Sequence, residues 1–296
     1  MSALPAWLRV EARSYSEMAK VRSVLSRLGV YTVCEGARCP NVFRCWGEGT
    51  ATFMILGEVC TRACRFCSVR TGNPRGYVDL DEPRRVAEAV RRLGLRYVVV
   101  TSVDRDDLPD GGAFQYASAI REIRRLAPGA LVEVLTPDFR GSREAVETVA
   151  EAGPDVFAHN VETVRRLTPL VRDRRASYET SLRVLKTAKE VGCRLTKSGI
   201  MLGLGESFDE VVEVLDDLRK AEVDIVTIGQ YVRPTKSARH LPVARWVPLE
   251  EFQKLGEVAL SMGFKAVASA PLVRSSYRAE DLYEMALGLR PRAVLV

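Results

Sequence analysis

The chain has 296 residues, of which 47% are hydrophobic and 28% are charged, so it can bury a large core and fits one large domain. Its net charge of +6 comes from 44 basic and 38 acidic residues spread along the chain, which is typical of a solvated surface and not of a nucleic-acid-binding face. The sequence offers no export signal and no run of about 18 apolar residues. We therefore expect a cytoplasmic protein that binds neither nucleic acid nor membranes.

Six runs rich in β-branched residues begin at residue 53 and alternate with amphipathic helical patterns, as in βαβ units. Pro83 and Gly94 mark the ends of one helix, and Ser142 and Ser207 precede later ones. Because the runs are nearly continuously apolar, both faces of each strand should be buried. The predicted fold class is α/β, a partial (β/α)6 TIM-like barrel. The predicted strands are TFMILG (53–58), YVVVTS (97–102), LVEVLT (131–136), DVFAHN (155–160), RLTKSGIML (194–202) and DIVTIG (224–229).

The chain divides into three predicted parts. Residues 1–52 form an N-terminal extension with a helix around 15–28, and residues 53–239 form the barrel. Residues 240–296 form a C-terminal extension with a helix and a short strand, KAVAS. We expect both extensions to leave the body of the barrel.

Six of the seven cysteines fall into two triplets. A reducing compartment disfavours disulfides, so we expect metal ligation. Three thiolates leave one iron of a [4Fe–4S] cubane open, and an open iron can bind a small molecule. The second triplet directly follows the first strand, at the strand end where barrels carry their chemistry. The first triplet is Cys34, Cys39 and Cys45, in CEGARCPNVFRC, and the second is Cys60, Cys64 and Cys67, in CTRACRFC.

Structural zinc and an electron-transfer cluster are the alternatives to an open cubane at the triplets. A structural zinc site wants four protein ligands, and the two histidines, His159 and His240, are far away in sequence. An electron-transfer cluster wants four cysteines per cluster and needs no barrel. The isolated Cys193 is predicted to be a small buried hydrophobe.

The CxxxCxxC motif after the first strand resembles the radical S-adenosylmethionine (SAM) superfamily, in which the amino and carboxyl groups of SAM chelate the open iron. Phe66, just before the third cysteine, also fits. The upstream CxxxxCxxxxxC resembles one family of that superfamily, the lipoyl synthases, over nearly the whole chain. Further matching motifs are TSVDRDDLPDGGA (101–113), VLTPDF (134–139), HNVETV (159–164), SGIMLGLGE (198–206), IGQYVRPTK (228–236) and RSSY (274–277).

The resemblance implies insertion of two sulfur atoms at carbons 6 and 8 of an octanoyl chain on a lysine of a carrier protein. That carrier would be a glycine cleavage H protein or a 2-oxoacid dehydrogenase E2 domain. The implied cofactors are two [4Fe–4S] clusters and SAM, which the cluster of the second triplet would cleave to a 5′-deoxyadenosyl radical. The implied sulfur donor is the auxiliary cluster of the first triplet. The implied partners are a ferredoxin- or flavodoxin-type electron donor and an iron–sulfur cluster carrier.

The RSSY motif implies one further ligand. In the family a serine of this motif binds the auxiliary cluster, which maps to Ser276, with Ser275 as the neighbouring alternative. From the residues alone, Ser276 before AEDLYEMA fits a helix start better. The resemblance reverses that preference.

The strand ends supply candidate SAM contacts. Thr101, Ser102 and Asp104 follow the second strand, where superfamily members hold the amino group of SAM; a polar loop is the alternative. Asn160 and Glu162 follow the fourth strand and could bind the ribose hydroxyls.

Glycines in and just after the fifth strand supply further candidates. Gly199, Gly203 and Gly205 would permit close approach to adenine, although a strand-to-helix turn also uses glycine without a ligand. His159 is as readily a satisfied core histidine as a functional group. The loop PTKSARHLPV is longer than is usual in the family.

Two rival functions remain. One is another radical SAM enzyme with an auxiliary cluster, such as a methylthiotransferase or a peptide-modifying dehydrogenase, although methylthiotransferases usually carry an extra domain. The other is a non-catalytic iron–sulfur carrier or metal-stabilised binding module, which would not cleave SAM.

Overall fold

The computed structural model describes residues 5, 7, 15–36, 39, 41–47 and 51–296. Other parts of the predicted N-terminal extension, including residues within and after the first triplet motif, lie outside the described residues. The helices are α1 (Tyr15–Leu28), α2 (Val33–Gly36), α3 (Val42–Gly47), α4 (Glu82–Leu93), α5 (Ala113–Leu126), α6 (Arg143–Glu151), α7 (Thr168–Val171), α8 (Tyr178–Glu190), α9 (Phe208–Lys220), α10 (Leu249–Ser261) and α11 (Ala279–Ala286). The strands are β1 (Tyr31–Thr32), β2 (Thr52–Ile55), β3 (Val59–Cys60), β4 (Arg70–Thr71), β5 (Tyr97–Ser102), β6 (Leu131–Leu135), β7 (Val156–Ala158), β8 (Thr196–Leu202), β9 (Ile225–Gln230), β10 (Ala266–Ser269) and β11 (Val294–Leu295).

In the described part of the chain, nine strands form one sheet in the order β1-β2-β5-β6-β7-β8-β9-β10-β11. All neighbours are parallel except β1, which runs antiparallel to β2. The six predicted strands are confirmed as β2 and β5 to β9, and the predicted α/β class is confirmed with them. Within the described ranges, no ladder joins β1 to β11, so the sheet is open between these two edges.

Part of the predicted C-terminal extension, 240–296, continues this sheet. We expected it to leave the body of the barrel, but β10 pairs with β9, and β11 pairs with β10. The sequence KAVAS is apolar on both faces, and parallel pairing beside β9 buries both of them. None of the helices in the described ranges combines the length and apolarity that a bilayer crossing demands.

Local capping fixes the helices that connect the strands. The Ser207 hydroxyl accepts a hydrogen bond from the Glu210 amide, and the Glu210 carboxylate accepts one from the Ser207 amide, which makes a capping box at α9. Ser142 caps α6, and Gly94 ends α4 in the left-handed conformation. These predicted helix ends are confirmed. Because helices return the chain between parallel strands, the carboxyl ends of the strands meet at one edge.

The core has an outer and an inner layer. On β5, Val98 and Val100 pack in the cluster that includes α4 and α5, whereas Tyr97 and Val99 pack in another cluster with Leu282 of α11. Since successive side chains of a strand point to opposite faces, α11 packs on the face of the sheet opposite to α4 and α5. The C-terminal helix therefore anchors the RSSY segment, which immediately precedes it, against the inner face of the sheet.

Candidate functional site

A cavity of about 480 Å³ lies at the edge where the parallel strands end, and five cysteines of the two triplets line it. This volume is in the range of about 300–1,000 Å³ that small-molecule sites occupy. The lining cysteines are Cys34, Cys39, Cys60, Cys64 and Cys67. Two sequence motifs that are separate along the chain therefore face one space.

The second triplet begins at Cys60, the last residue of β3, and continues into the segment that leads to β4; we call residues 60–67 the second-triplet loop. Backbone amides point at its sulfur atoms. The Asp104 amide donates to Cys60 Sγ at 3.3 Å, and the Asp173 amide donates to Cys64 Sγ at 3.3 Å. Such N–H donors stabilise sulfur that carries negative charge, as in thiolates bound to iron.

The thiols of this loop fit a cluster better than a single metal ion. Burial raises the pKa of Cys60 and Cys64 to about 12 and that of Cys67 to about 11, so without a cation they keep their protons at neutral pH. Among the described residues, no three His, Cys, Asp or Glu side chains converge tightly enough for one metal ion. A cubane does not need such convergence because each thiolate binds a different iron.

The first triplet lies beside the C-terminal segment. A smaller cavity of about 20 Å³ is lined by all three of its cysteines together with Ser276. Ser275 lines the large cavity and is not among the described residues that line the small one. The Asn41 side-chain amide donates to the Leu272 carbonyl at 2.7 Å, which joins the two segments. The structure thus brings Ser276 to the cysteines across more than 200 positions of the chain.

The helix-start interpretation of Ser276 is wrong. Helix α11 begins at Ala279, and its N-cap position is Arg278, which has a left-handed backbone and makes no capping side-chain bond. Ser276 lies two positions before the N-cap and therefore does not cap the helix.

A second RSSY residue was missed by sequence reasoning. Arg274 lines the small cavity, and its Nη1 donates to the Val273 carbonyl at 2.7 Å. Burial lowers the pKa of Arg274, while nearby Cys39 acts in the opposite direction.

The candidates at the end of β5 and just after it line the large cavity. Thr101, Ser102 and Asp104 are all in its wall. The Thr101 hydroxyl donates to the Leu135 carbonyl at 2.8 Å, so its lone pairs are what it can offer to a ligand. Burial raises the pKa of Asp104 to about 6.

The candidates after β7 have features that point to a missing ligand. Asn160 Oδ1 is buried without a hydrogen-bond partner in the described part of the chain, which is rare for a buried acceptor. Glu162 lies beside it with a φ of 69°, a strained conformation for a non-glycine residue. At Gly199, a Cβ atom would lie 2.9 Å from Asn160 Oδ1 and 2.8 Å from Thr227 Oγ1. A side chain at position 199 would therefore have to displace Asn160 or Thr227.

Four further residues have structural roles. Gly203 is not among the described residues that line the cavity; its amide donates to Glu206 at 2.6 Å and its φ of 97° forms the turn before α9. The turn also accounts for Gly205. His159 is a satisfied core histidine, since its ring nitrogens bond Thr136 and Ser181. Cys193 is buried in the apolar core, as predicted.

Two arrangements near the second-triplet loop were missed. Arg172 is buried in the cavity wall, its Nε has no hydrogen-bond partner, and no ion pair to it occurs among the described residues. His240 Nε2 and Arg239 both contact the Cys67 carbonyl. The PTKSARHLPV loop therefore packs over the triplet, a contact between distant segments that no local motif indicates.

A profile of the radical SAM superfamily matches residues 54–218. A lipoyl synthase from Pyrobaculum aerophilum is 68% identical over 284 residues, which cover 96% of this chain and 97% of the relative. A lipoyl synthase from Thermus thermophilus is 56% identical over 280 residues, covering 94% and 86%. The chain belongs to the lipoyl synthase family. Lipoyl synthases are radical SAM sulfurtransferases, so the predicted enzyme class is confirmed and a non-catalytic iron–sulfur carrier is excluded.

The fold agrees with membership of the lipoyl synthase family. The crystal structure of methylornithine synthase aligns with a TM-score of 0.59 at 13% identity, covering 96% of this chain and 82% of that one. At this identity the likeness shows the fold alone. The partial barrel predicted from the strand pattern is confirmed, and superfamily membership implies one [4Fe–4S] cluster and SAM.

Proposed function

We propose that this chain inserts two sulfur atoms, at carbons 6 and 8, into an octanoyl group held on a lysine of a carrier protein. The carrier is a glycine cleavage H protein or a 2-oxoacid dehydrogenase E2 domain. The observation that supports this most is that cysteines of both triplets line one cavity. Hydrogen abstraction and sulfur delivery have to reach the same carbon, so both centres must be within reach of one bound chain.

We assign the cluster that binds SAM to Cys60, Cys64 and Cys67. When bound, the cluster and SAM supply an electron and a carbon-centred radical. The amides of Asp104 and Asp173 orient toward the sulfur atoms. Arg172, a buried cation without a carboxylate partner among the described residues, would bind the SAM carboxylate.

The remaining proposed SAM contacts are hydrogen bonds to polar groups in the cavity wall. Asn160 Oδ1 would accept a hydrogen bond from a ribose hydroxyl, because it is buried and has no other donor in the described structure. Glu162 donates no proton when ionised and would accept from the second hydroxyl. Thr101, Ser102 and Asp104 would face the amino group of SAM.

We assign the auxiliary cluster, the sulfur donor, to Cys34, Cys39, Cys45 and Ser276. A serine oxygen is a weaker iron ligand than a thiolate, which suits a cluster that is taken apart in each reaction. Arg274 places a cation beside this site. A cation there would favour negatively charged sulfur.

The same proposal includes the partners and the location. A ferredoxin- or flavodoxin-type protein would donate the electrons, an iron–sulfur carrier would rebuild the auxiliary cluster, and the enzyme would act in the cytoplasm. The boundaries 1–52, 53–239 and 240–296 remain a prediction.

The test uses the anaerobically reconstituted enzyme with an octanoyl-lysine peptide, SAM and dithionite. We expect mass spectrometry to show two sulfur atoms added in place of two hydrogen atoms, with formation of 5′-deoxyadenosine. A reaction without SAM is the control. SAM cleavage without sulfur in the peptide would instead support a different radical reaction.

A further inference from the structure

Arg62 stands between Cys60 and Cys64 in the second-triplet loop, yet its side chain is only 2% exposed. Its guanidinium group forms two pairs of hydrogen bonds. Nη1 and Nη2 donate to the two oxygens of Asp138 at 2.7 Å each, and Nε and Nη2 donate to Asp106 at 3.0 and 2.9 Å. Nη1 also lies 3.4 Å from Asp104. A loop residue is thus held by three carboxylates.

These carboxylates lie just after strands of the barrel and not in the second-triplet loop. Asp104 and Asp106 follow β5, and Asp138 follows β6. The Asp138 side chain is fully buried, and a backbone contact fixes it further, since Asp138 also accepts from the Arg140 amide at 2.9 Å. The paired contacts therefore fix the loop relative to two strand ends at once.

The backbone of the loop is joined to the same residues. The Thr61 amide donates to the Asp104 carbonyl at 2.9 Å, and the Asp106 amide donates to the Thr61 hydroxyl oxygen at 3.0 Å. On the other side, the Ala63 amide donates to Asp173 at 2.9 Å.

A planar guanidinium can satisfy two carboxylates in two-point contacts, whereas the point charge of lysine cannot. A buried arginine is costly unless its donors are all used, and here the Nε, Nη1 and Nη2 groups all have carboxylate acceptors. Contacts to three carboxylates are more than a single stabilising ion pair needs, and they fit a loop whose thiols must be held in place.

We propose that Arg62 is a positioning residue that holds the second-triplet loop in its ligand-presenting conformation before any iron binds. The inference rests on the proposed role of Cys60, Cys64 and Cys67 as cluster ligands. It concerns the metal-free protein, so it can fail independently of sulfur insertion.

The test measures alkylation of the metal-free protein by N-ethylmaleimide, followed for each cysteine by peptide mass spectrometry. In Arg62→Lys, we expect the rates at Cys60, Cys64 and Cys67 to rise by at least about tenfold, because the loop opens more often. The rate at Cys193, which is buried in the apolar core, should stay within about twofold of the wild-type rate. Asp138→Asn is a second variant, expected to give a smaller rise of about threefold.

Arg124→Lys is the matched control. Arg124 also pairs with a carboxylate, Asp155 at 2.7 Å, but it lies beside the Ala130 and Gly153 carbonyls, which precede β6 and β7 at the opposite ends of the strands. It should leave the three loop rates unchanged. Unchanged rates in folded Arg62→Lys would overturn the proposal, and so would an equal rise at Cys193, which would indicate general loosening.

A spectroscopic readout on loaded protein adds an independent check. In a Cys34→Ala, Cys39→Ala, Cys45→Ala background, one cluster is expected to remain. In the protein that keeps Arg62, adding SAM should sharply change the electron paramagnetic resonance spectrum of the reduced cluster. In Arg62→Lys, the same addition should give a broad or partial change. An identical change in both, together with unchanged alkylation rates in the metal-free protein, would contradict the positioning role.

Discussion

The two cysteine triplets are built in different ways. The second triplet lies in one short loop, and buried ion pairs and backbone amides hold that loop to the ends of β5 and β6. The first triplet is spread over two short helices and the segment between them, and Ser276 joins it from the far end of the chain. One site is therefore local and rigidly supported, and the other is assembled from remote segments.

This difference matches the two proposed tasks. A centre that activates SAM in every turnover should keep its ligands fixed, since small displacements of reacting groups are costly. A centre that gives up its sulfur must tolerate the loss of ligands, and an oxygen ligand from a separate segment can leave without moving the cysteines. The five predictions below test this contrast, beginning with the largest expected effect.

Removing the second triplet should abolish the chemistry altogether. The variant Cys60→Ala, Cys64→Ala, Cys67→Ala should form no 5′-deoxyadenosine while keeping about half of the iron, because only one of two clusters loses its ligands. Iron analysis and chromatography of the reaction check both parts. Persisting SAM cleavage would show that the two triplets have been assigned the wrong way round.

Removing one ligand of the first triplet should separate the two steps. Cys39→Ala should still produce some 5′-deoxyadenosine, but the peptide should gain no sulfur because the proposed donor cannot be held. Adding free sulfide provides the control. If lipoyl product appeared under that condition, the auxiliary cluster would not be the sulfur source.

Changing the serine ligand should lower the yield of sulfur without stopping SAM cleavage. We expect Ser276→Cys to decrease sulfur inserted per SAM cleaved by about tenfold or more, since a thiolate holds iron more firmly than an oxygen ligand. Ser275→Ala is the matched control and should keep the wild-type ratio. An unaltered ratio in Ser276→Cys would argue against the ligand role.

Acid should lower the stability of the folded barrel because His159 is harder to protonate in the folded chain than in the unfolded one. Burial, followed by the charge of Arg172, lowers the pKa of His159 to about 4. The unfolded chain binds this proton near pH 6.5, so stability should decline as pH falls from about 6.5 to 4, by roughly 2 kcal/mol at pH 4.5. Urea unfolding of metal-free protein at several pH values measures this decline. His159→Gln should show a flatter profile, and an equally steep one would assign the decline to other groups.

The link between the remote segments should have the smallest effect on stability. Asn41→Ala removes the bond to the Leu272 carbonyl and should cost about 1 kcal/mol of unfolding free energy. We expect Asn41→Ala to lower the amount of iron bound by the first triplet and to leave the iron bound by the second triplet unchanged. Equal loss from both sites would mean that the two triplets are not independent.

The sequence could predict what depends on local pattern. The strand at 97–102 was located to the residue, and Ser142, Ser207 and Gly94 marked helix ends because capping and left-handed turns are local events. The spacing of the two triplets predicted the cysteines as metal ligands, and the family resemblance assigned each triplet to a cluster. Both kinds of inference need only neighbouring residues or known motifs.

Contacts between distant segments could not be predicted in the same way. The pairing of β10 with β9 depends on which sheet edge is free, and the Arg62 contacts depend on loops that meet only after folding. Arg172 belongs to no motif, although it faces the cavity. Gly203 shows why a glycine is hard to interpret, since a turn that needs a positive φ looks the same in sequence as a ligand-contacting glycine.

The meeting of Asn41 with Leu272 and of the first triplet with Ser276 has a consequence for biosynthesis. Cysteines 34 to 45 leave the ribosome early, the strands of the barrel follow from residue 52 onward, and Ser276 comes only more than 200 residues after the cysteines. Until the segment that holds Ser276 has been synthesised, the site of the auxiliary cluster lacks part of its lining residues. Loading of this site should therefore follow synthesis of the segment that holds Ser276, and ribosome-bound nascent chains that end before residue 270 should not yet hold the auxiliary cluster.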